Sequence, residues 1–425
     1  MLSDETGRLD IAPRLPPPER DDTREVAQTK LSLIREAFEI YKEQFDKDVE
    51  PTMIRAGIAP GRVNLIGEHV DYCDGIVLPM AVPFYVVVLG VYVDEDCGET
   101  QIYSSYKKEK ARITAPYKDA RNVAFWASYI HGVMTLASCR KCFNIVVHSN
   151  LPPGSGMSSS AALELATYKF LANFDSDVEA RKPLDIALLC REAEHRFAHV
   201  PCGIMDQFVV TLAYNGCALR IDCRSLQYEL IPALFMDSAI FLVTNSGVKH
   251  ELGNGEYAKR REVVDKALKT CDALSWRDVN DEKMDQIRAT GNETMVQYSE
   301  HVIDEIKRTE TATIALLDNN VKYFGELMTE SHISLRDKYQ VSCEELDQLV
   351  DIALKQEGVF GSRMFGGGFG GCTITLVKPS FVQPLKKAIL EKYTGGAPTF
   401  FVCEPVSGAK KINDISFIFP KKNLF

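Results

Sequence analysis

A chain of 425 residues, 45% hydrophobic and 25% charged, is long enough for two packed cores and has none of the biases of a disordered or fibrous protein. A net charge of −10, from 59 acidic and 49 basic residues, and the lack of a Lys/Arg-rich face argue against a nucleic-acid partner. No run approaches the ~18 apolar residues of a membrane span, and Met1–Arg20, with Asp4, Glu5 and Asp10, lacks the apolar core of a secretory signal.

In chain order, 1–25 reads as a loose tail. Val26–Phe45 has helical spacing, with Leu31, Ile34, Ala37, Phe38 and Tyr41 on one stripe. Ala56–Gly67 is strand-like and punctuated by glycine, and Ile76–Val93 reads as paired strands. Phe143–His148 is a strand leading into a glycine- and serine-rich loop, and Ala161–Leu171 is a helix. Pro183–Phe197 is a helix that must stop before Pro201, because the residue before proline avoids helical geometry. Ile204–Leu212 is helical, and Cys217–Ile221 and Ala239–Val243 are short strands. Helices follow at Tyr257–Leu274, Gly325–Tyr339 and Ser342–Glu357, the last with Ser342 and Glu345 as a capping box. A second glycine loop, Met364–Gly371, runs into the strand Cys372–Val377. The mixture is α+β, with a domain break near Asp222–Ile231.

Twelve cysteines in such a chain read as reduced cytoplasmic thiols. The single C-x-x-C at Cys139 and Cys142 has no second pair at zinc-ribbon spacing. His195 and His199 lack the glutamate of a zinc-protease helix.

The loop LPPGSGMSSSAALELA (151–166) carries more information. Gly154 and Gly156 let a ligand approach the backbone, Ser158, Ser159 and Ser160 add hydroxyls, and a strong helix begins at once. A helix start presents unpaired N–H groups and the positive end of the helix dipole, which suits phosphate. No lysine lies within 151–166, so this is not the common P-loop, and two glycines do not make a dinucleotide fingerprint. Around Gly61–Pro79, Arg62, Glu68, His69 and Asp71 crowd into ten residues. Carboxylates and imidazoles accept directed hydrogen bonds from the hydroxyls of a polyol. Glu194 near one helix end and Asp206 early in the next point to a shared cleft, and Glu194 with a serine suits the sparse ligation of Mg2+. Together these features predict a kinase acting on a small polyol.

The sequence resembles the galactokinases, within the family that also groups homoserine, mevalonate and phosphomevalonate kinases. Three motifs carry the resemblance: GRVNLIGEHVDYCDGIVLPMAV (61–82), LPPGSGMSSSAALE (151–164) and SRMFGGGFGGCTITLV (362–377). CGIMDQF (202–208), IDCRSL (221–226), GEY (255–257) and SLRDKYQVSCEELDQLV (334–350) are similar as well, so the likeness spans roughly 30–420.

The resemblance implies two domains, 26–225 with a mixed sheet and 226–425 with a ferredoxin-like fold, and an active site between them. It implies phosphorylation of the C1 hydroxyl of α-D-galactose by ATP with Mg2+, in a cytoplasmic monomer. Asp206 would be the catalytic base and Arg62 would stabilise the transferring phosphoryl group. Glu68, His69, Asp71, Gly203 and Tyr257 would hold the sugar. Gly154, Ser155, Gly156, Met157, Ser158, Ser159 and Ser160 would cradle the ATP phosphates, with Trp126 at the adenine. Ser160 and Glu194 would bind Mg2+. A carboxylate beside an arginine is a weak base, which suits a loose transition state where the proton leaves late.

Two departures from the family pattern stand out. Phe365 replaces a small hydroxyl residue before the glycines of the third motif. Ser155 and Met157 stand where glycine or alanine and leucine are common. Both changes are expected to narrow the phosphate loop. N-acetylgalactosamine kinases share the motifs, but their third motif tends to read GAGWGG, against GGGFGG at 366–371 here. Non-catalytic sugar sensors of this type lose small residues after the serines, and Ala161-Ala162 are intact.

Overall fold

The computed structural model describes residues 21–93, 98–115, 117, 123–152, 154–249 and 253–419. Its strands are β1 (Arg55–Asn64), β2 (Ile76–Val77), β3 (Pro79–Val93), β4 (Glu99–Ser104), β5 (Glu109–Thr114), β6 (Cys142–Ser149), β7 (Cys217–Asp222), β8 (Gln227–Pro232), β9 (Ile240–Lys249), β10 (Val359–Phe365), β11 (Gly370–Val377), β12 (Thr399–Cys403) and β13 (Lys410–Ile412). Its helices are α1 (Arg24–Gln44), α2 (Phe125–Leu136), α3 (Ser159–Leu171), α4 (Ser176–Glu179), α5 (Pro183–Ala193), α6 (Met205–Leu212), α7 (Gly253–Thr270), α8 (Asp281–Arg288), α9 (Glu293–Leu317), α10 (Val321–Asp337), α11 (Glu344–Leu354) and α12 (Val382–Lys392).

A six-stranded sheet in the order β13-β1-β3-β6-β4-β5 forms the first layer. Only the β4–β6 pairing is parallel, so the sheet is mixed. Helix α1 buries Val26, Leu33, Ile34, Ala37, Phe38 and Tyr41 along one stripe. Helix α3 lies hard against β1: a Cβ on Gly57 would stand 2.0 Å from the Ala166 carbonyl oxygen, so only glycine permits the approach.

The second layer is the four-stranded antiparallel sheet β10-β11-β9-β12. Helices connect β9 to β10, and α12 connects β11 to β12. A βαββαβ path with that strand order is ferredoxin-like, as expected. The chain then returns, because β13 pairs with β1 in the first sheet.

Three local expectations are corrected. The strands within Ile76–Val93 do not pair with each other: β2 pairs with β7, whereas β3 lies between β1 and β6. No capping box opens α11: Cys343 is its N-cap residue, and Ser342 Oγ donates to Asp347 Oδ1 at 2.5 Å. The helix from Pro183 is α-helical only to Ala193 and widens into a π turn over Glu194–Ala198, closed by His199 at φ 58°. Such widened turns recur at functional sites.

The longest helix, α9, has no counterpart in the sequence reading. Its buried face carries Ser299, His301, Glu305, Thr309 and Thr313 among its apolar residues, which blurs the hydrophobic period.

Candidate active site

The phosphate loop connects β6 to α3. Gly154 and Gly156 have φ of +69° and +68°, and Ser158, the residue before the helix, is left-handed at φ 56°. Ser158 does not cap α3. Its hydroxyl donates to Asp206 Oδ2 instead, leaving the first amides of the helix without a side-chain cap. Gly154 to Ser160 line a cavity of about 290 Å³. Two of these side chains have partners within the protein. Ser155 Oγ donates to the Pro152 carbonyl at 2.7 Å, and Met157 joins a buried cluster with Phe365.

The loop is pinned to β1. Arg62 N donates to the Met157 carbonyl at 3.0 Å, and the Arg62 guanidinium donates to the Gly156 carbonyl. A Cβ on Gly61 would come within 2.8 Å of that Met157 oxygen. The same guanidinium grips Asp206, Nε to Oδ1 at 2.8 Å and Nη2 to Oδ2 at 2.7 Å. This two-bond fork fixes both side chains in one plane.

A second cavity, of about 250 Å³, meets the first at Arg62, Asp206, Gly366 and Gly367. The expected sugar residues Glu68, His69, Asp71 and Gly203 all line it. Burial, then repulsion by Asp206 and Glu68, pushes the Asp71 carboxyl up to about 7. Asp71 lies so close to Gly203 that a Cβ there would stand 1.7 Å from Asp71 Oδ2. Burial also pushes His69 down to about 3, so its ring is neutral at physiological pH. Its Nδ1 lies 2.9 Å from the Tyr72 hydroxyl.

Glu68 has a different engagement from the one expected. It accepts from Arg363 Nη2 at 2.8 Å and Asn64 Nδ2 at 3.0 Å through Oε2, and from Gly366 N at 2.8 Å through Oε1. Both oxygens thus hold the first motif to the third. Glu305 on α9 supports the same turn, accepting from Gly67 N at 3.0 Å and Glu68 N at 3.3 Å. Tyr257 lies on α7, and its side chain is outside the described residues.

Glu194 opens the π turn and lines the second cavity at 5% exposure. Burial and the charge of Asp206 push its carboxyl up to about 7, and Ser160 hydrogen-bonds to it. Gln207 Nε2 donates to Glu194 Oε2 at 2.7 Å and to Glu164 Oε2 at 3.1 Å. One carboxylate and one hydroxyl beside the phosphate cavity fit Mg2+, which takes few protein oxygens and leaves the rest of its shell to water and phosphate.

Trp126 lines neither cavity. It sits in the first turn of α2, and its indole N–H donates to Glu109. Sequence reasoning missed Gly366 and Gly367 as wall residues, although they stand inside a quoted motif. It also missed Glu164, Gln207, Arg363 and Glu305, whose roles arise from contacts between distant segments.

A helix start suited to phosphate, facing a second cavity lined by carboxylates across one Arg–Asp fork, is a layout that fits a small-molecule kinase. Sequence models of the GHMP kinase N-terminal domain and C-terminal domain match residues 128–214 and 312–394, and with the two sheets they make the protein a GHMP kinase. The galactokinase galactose-binding signature matches residues 39–90. The chain is 43% identical over 391 residues to the galactokinase of Canis lupus familiaris, covering 90% of this chain and 97% of that one. It is 42% identical over 387 residues to the galactokinase of Homo sapiens, covering 89% and 96%. The crystal structure of Lactococcus lactis galactokinase complexed with galactose superposes with a TM-score of 0.81 at 30% identity, covering 89% of this chain and all of that one. The chain belongs to the galactokinase family.

Proposed function

We infer that the enzyme transfers the γ-phosphoryl group of ATP to the C1 hydroxyl of α-D-galactose, giving galactose 1-phosphate and ADP. The observation that carries this reading is the meeting of the two cavities at Arg62 and Asp206. A sugar in one and phosphates in the other would react across that pair.

In this reading Asp71 and His69 hold sugar hydroxyls, with Tyr257 and the Gly203 backbone completing the pocket. Glu68 lines the wall and fixes the Gly366 loop. With Nδ1 engaged by the Tyr72 hydroxyl, the neutral His69 ring has Nε2 as the nitrogen to meet a sugar hydroxyl. Asp206 orients the C1 hydroxyl and takes its proton. The C1 oxygen forms the new bond to phosphorus as the bond to the ADP oxygen breaks. Arg62 sits where charge builds on the transferring group, and the amides of the Gly154–Ser160 loop bind the phosphates already at the helix start. Ser160 and Glu194 would hold Mg2+, which would neutralise charge on the β- and γ-phosphates. The free cysteines among the described residues support a cytoplasmic setting, and we take the enzyme to be a monomer.

The test is ADP release from Mg-ATP with galactose, N-acetylgalactosamine, glucose or mevalonate as acceptor. Turnover well above the others with galactose is expected. Faster turnover with N-acetylgalactosamine would move the substrate assignment and leave the site intact. Binding of galactose and ATP without ADP release would make the protein a sensor.

A further inference from the structure

Gln207 stands beside Asp206 in the first turns of α6 and is fully buried. Its amide nitrogen donates to two carboxylates, Glu194 at 2.7 Å and Glu164 at 3.1 Å. Glu164 lies four residues after Ser160, on the same face of α3. Glu194 opens the π turn after α5. One amide therefore joins three helical segments behind the wall that carries Ser160 and Glu194.

Packing alone does not call for this arrangement. Gln207 Oε1 and Glu164 Oε1 are buried without a hydrogen-bond partner among the described residues. An apolar group of the same shape would avoid leaving those atoms unsatisfied. What the amide does supply is a fixed donor to one oxygen of Glu194. That bond sets the rotation of the carboxylate and keeps it facing Ser160 and the cavity. Asp206, by contrast, is held independently by the Arg62 fork and by Ser158.

We propose that Gln207 is a positioning residue for the divalent-cation site, orienting the Glu194 carboxylate toward the cation without contacting cation or substrate. The proposal rests on the reading that Ser160 and Glu194 hold Mg2+.

The test measures Mn2+ affinity of the enzyme–ADP complex by electron paramagnetic resonance and galactose affinity by calorimetry. Gln207→Met keeps the side-chain length and removes the donor, and Gln207→Leu removes the donor with a shorter apolar side chain. Both are expected to weaken Mn2+ at least tenfold while galactose affinity stays within twofold of wild type. Glu164→Gln, which leaves the bond between Gln207 and Glu194 in place, is expected to change Mn2+ affinity by less than twofold. Unchanged Mn2+ affinity in the Gln207 variants overturns the proposal, as does a parallel loss of galactose affinity. Where Gln207→Met does not fold, Gln207→Leu decides. Undiminished Mn2+ affinity in Glu194→Gln removes the cation assignment and this proposal with it, while galactose phosphorylation by the wild type would leave the activity standing.

Discussion

Arg62 and Asp206 come from segments 144 residues apart and meet in a two-bond fork, 2.8 and 2.7 Å long, on the boundary between the two cavities. Asp206→Asn keeps the shape and removes the proton acceptor. It is expected to lower kcat by several orders of magnitude, since a positioned acid–base group contributes ~10²–10⁴-fold and the fork is lost as well. A loss of only about tenfold in a steady-state ADP assay would sink the assignment of Asp206 as base. Arg62→Lys retains charge but not the fork, and is expected to lower kcat more than it raises the KM for galactose.

Asp71 titrates at about 7 in the fold against an ordinary value of 3.8, so the folded state holds this proton more tightly than the unfolded chain. Its stabilising contribution is complete below pH 3.8 and is lost as pH rises through 7. Glu194, pushed to about 7 from 4.5, acts in the same direction. The sugar-free enzyme is expected to lose thermal stability between about pH 4 and pH 7, with no further loss from these groups above that, and Asp71→Asn to flatten that decline while weakening galactose binding. A melting-temperature profile with the wild-type slope in Asp71→Asn would show that the carboxyl is not shifted.

Gly203 has no room for a Cβ, because Asp71 Oδ2 occupies that space. Gly203→Ala is expected to displace Asp71, raising the KM for galactose at least tenfold with the KM for ATP within about threefold. Equal effects on both substrates would place Gly203 outside the sugar wall.

Arg363 and Glu68 form a buried ion pair at 2.8 Å, with side-chain exposures of 0% and 5%. Removing one partner of such a pair typically costs ~3–5 kcal/mol, because the other charge stays buried. Arg363→Met is expected to lower stability by about that amount in urea unfolding, and addition of Glu68→Gln to restore part of it. A double variant as unstable as the sum of the single changes would mean that the two residues are not coupled.

Phe365 is 2% exposed and packs with Met157 beneath the phosphate loop. Its ring edge is 3.9 Å from where a Cβ on Gly156 would stand. The ring supports the loop from below. Phe365→Ser, which returns the small hydroxyl of the family pattern, is expected to cost ~3–5 kcal/mol of stability, by analogy with Phe→Ala in cores. It should not tighten ATP binding. Tighter ATP binding in titration calorimetry would restore the view that Phe365 narrows the site.

Much of the site was legible in the chain because its groups are local. Gly154–Ser160 is one continuous turn onto a helix, and Arg62, Glu68, His69 and Asp71 lie within ten residues. Residue type and short spacing were enough to propose phosphate and polyol binding. α1 was legible for a similar reason, since its apolar side chains repeat at helical spacing, whereas α3 is buried nearly all round and is marked by its Ala- and Leu-rich run instead. The missed α9 shows the limit. Its buried face holds Glu305 and His301, which hydrogen-bond the backbone of the Glu68 turn. Polar groups buried for such partners carry no periodic signature.

The sequence by itself determined the chemical class of the site, because glycines, hydroxyls and carboxylates state their chemistry wherever they are placed. Only the tertiary structure decided how they are shared out. It turned both oxygens of Glu68 toward Arg363, Asn64 and Gly366, and it bonded Ser155 to the Pro152 carbonyl and set Met157 in a buried cluster with Phe365. It put Gln207 between Glu164 and Glu194 and left Trp126 bonded to Glu109. A carboxylate faces a ligand or a neighbouring arginine according to which donor the fold brings within about 3 Å, and those donors lie up to 298 residues away.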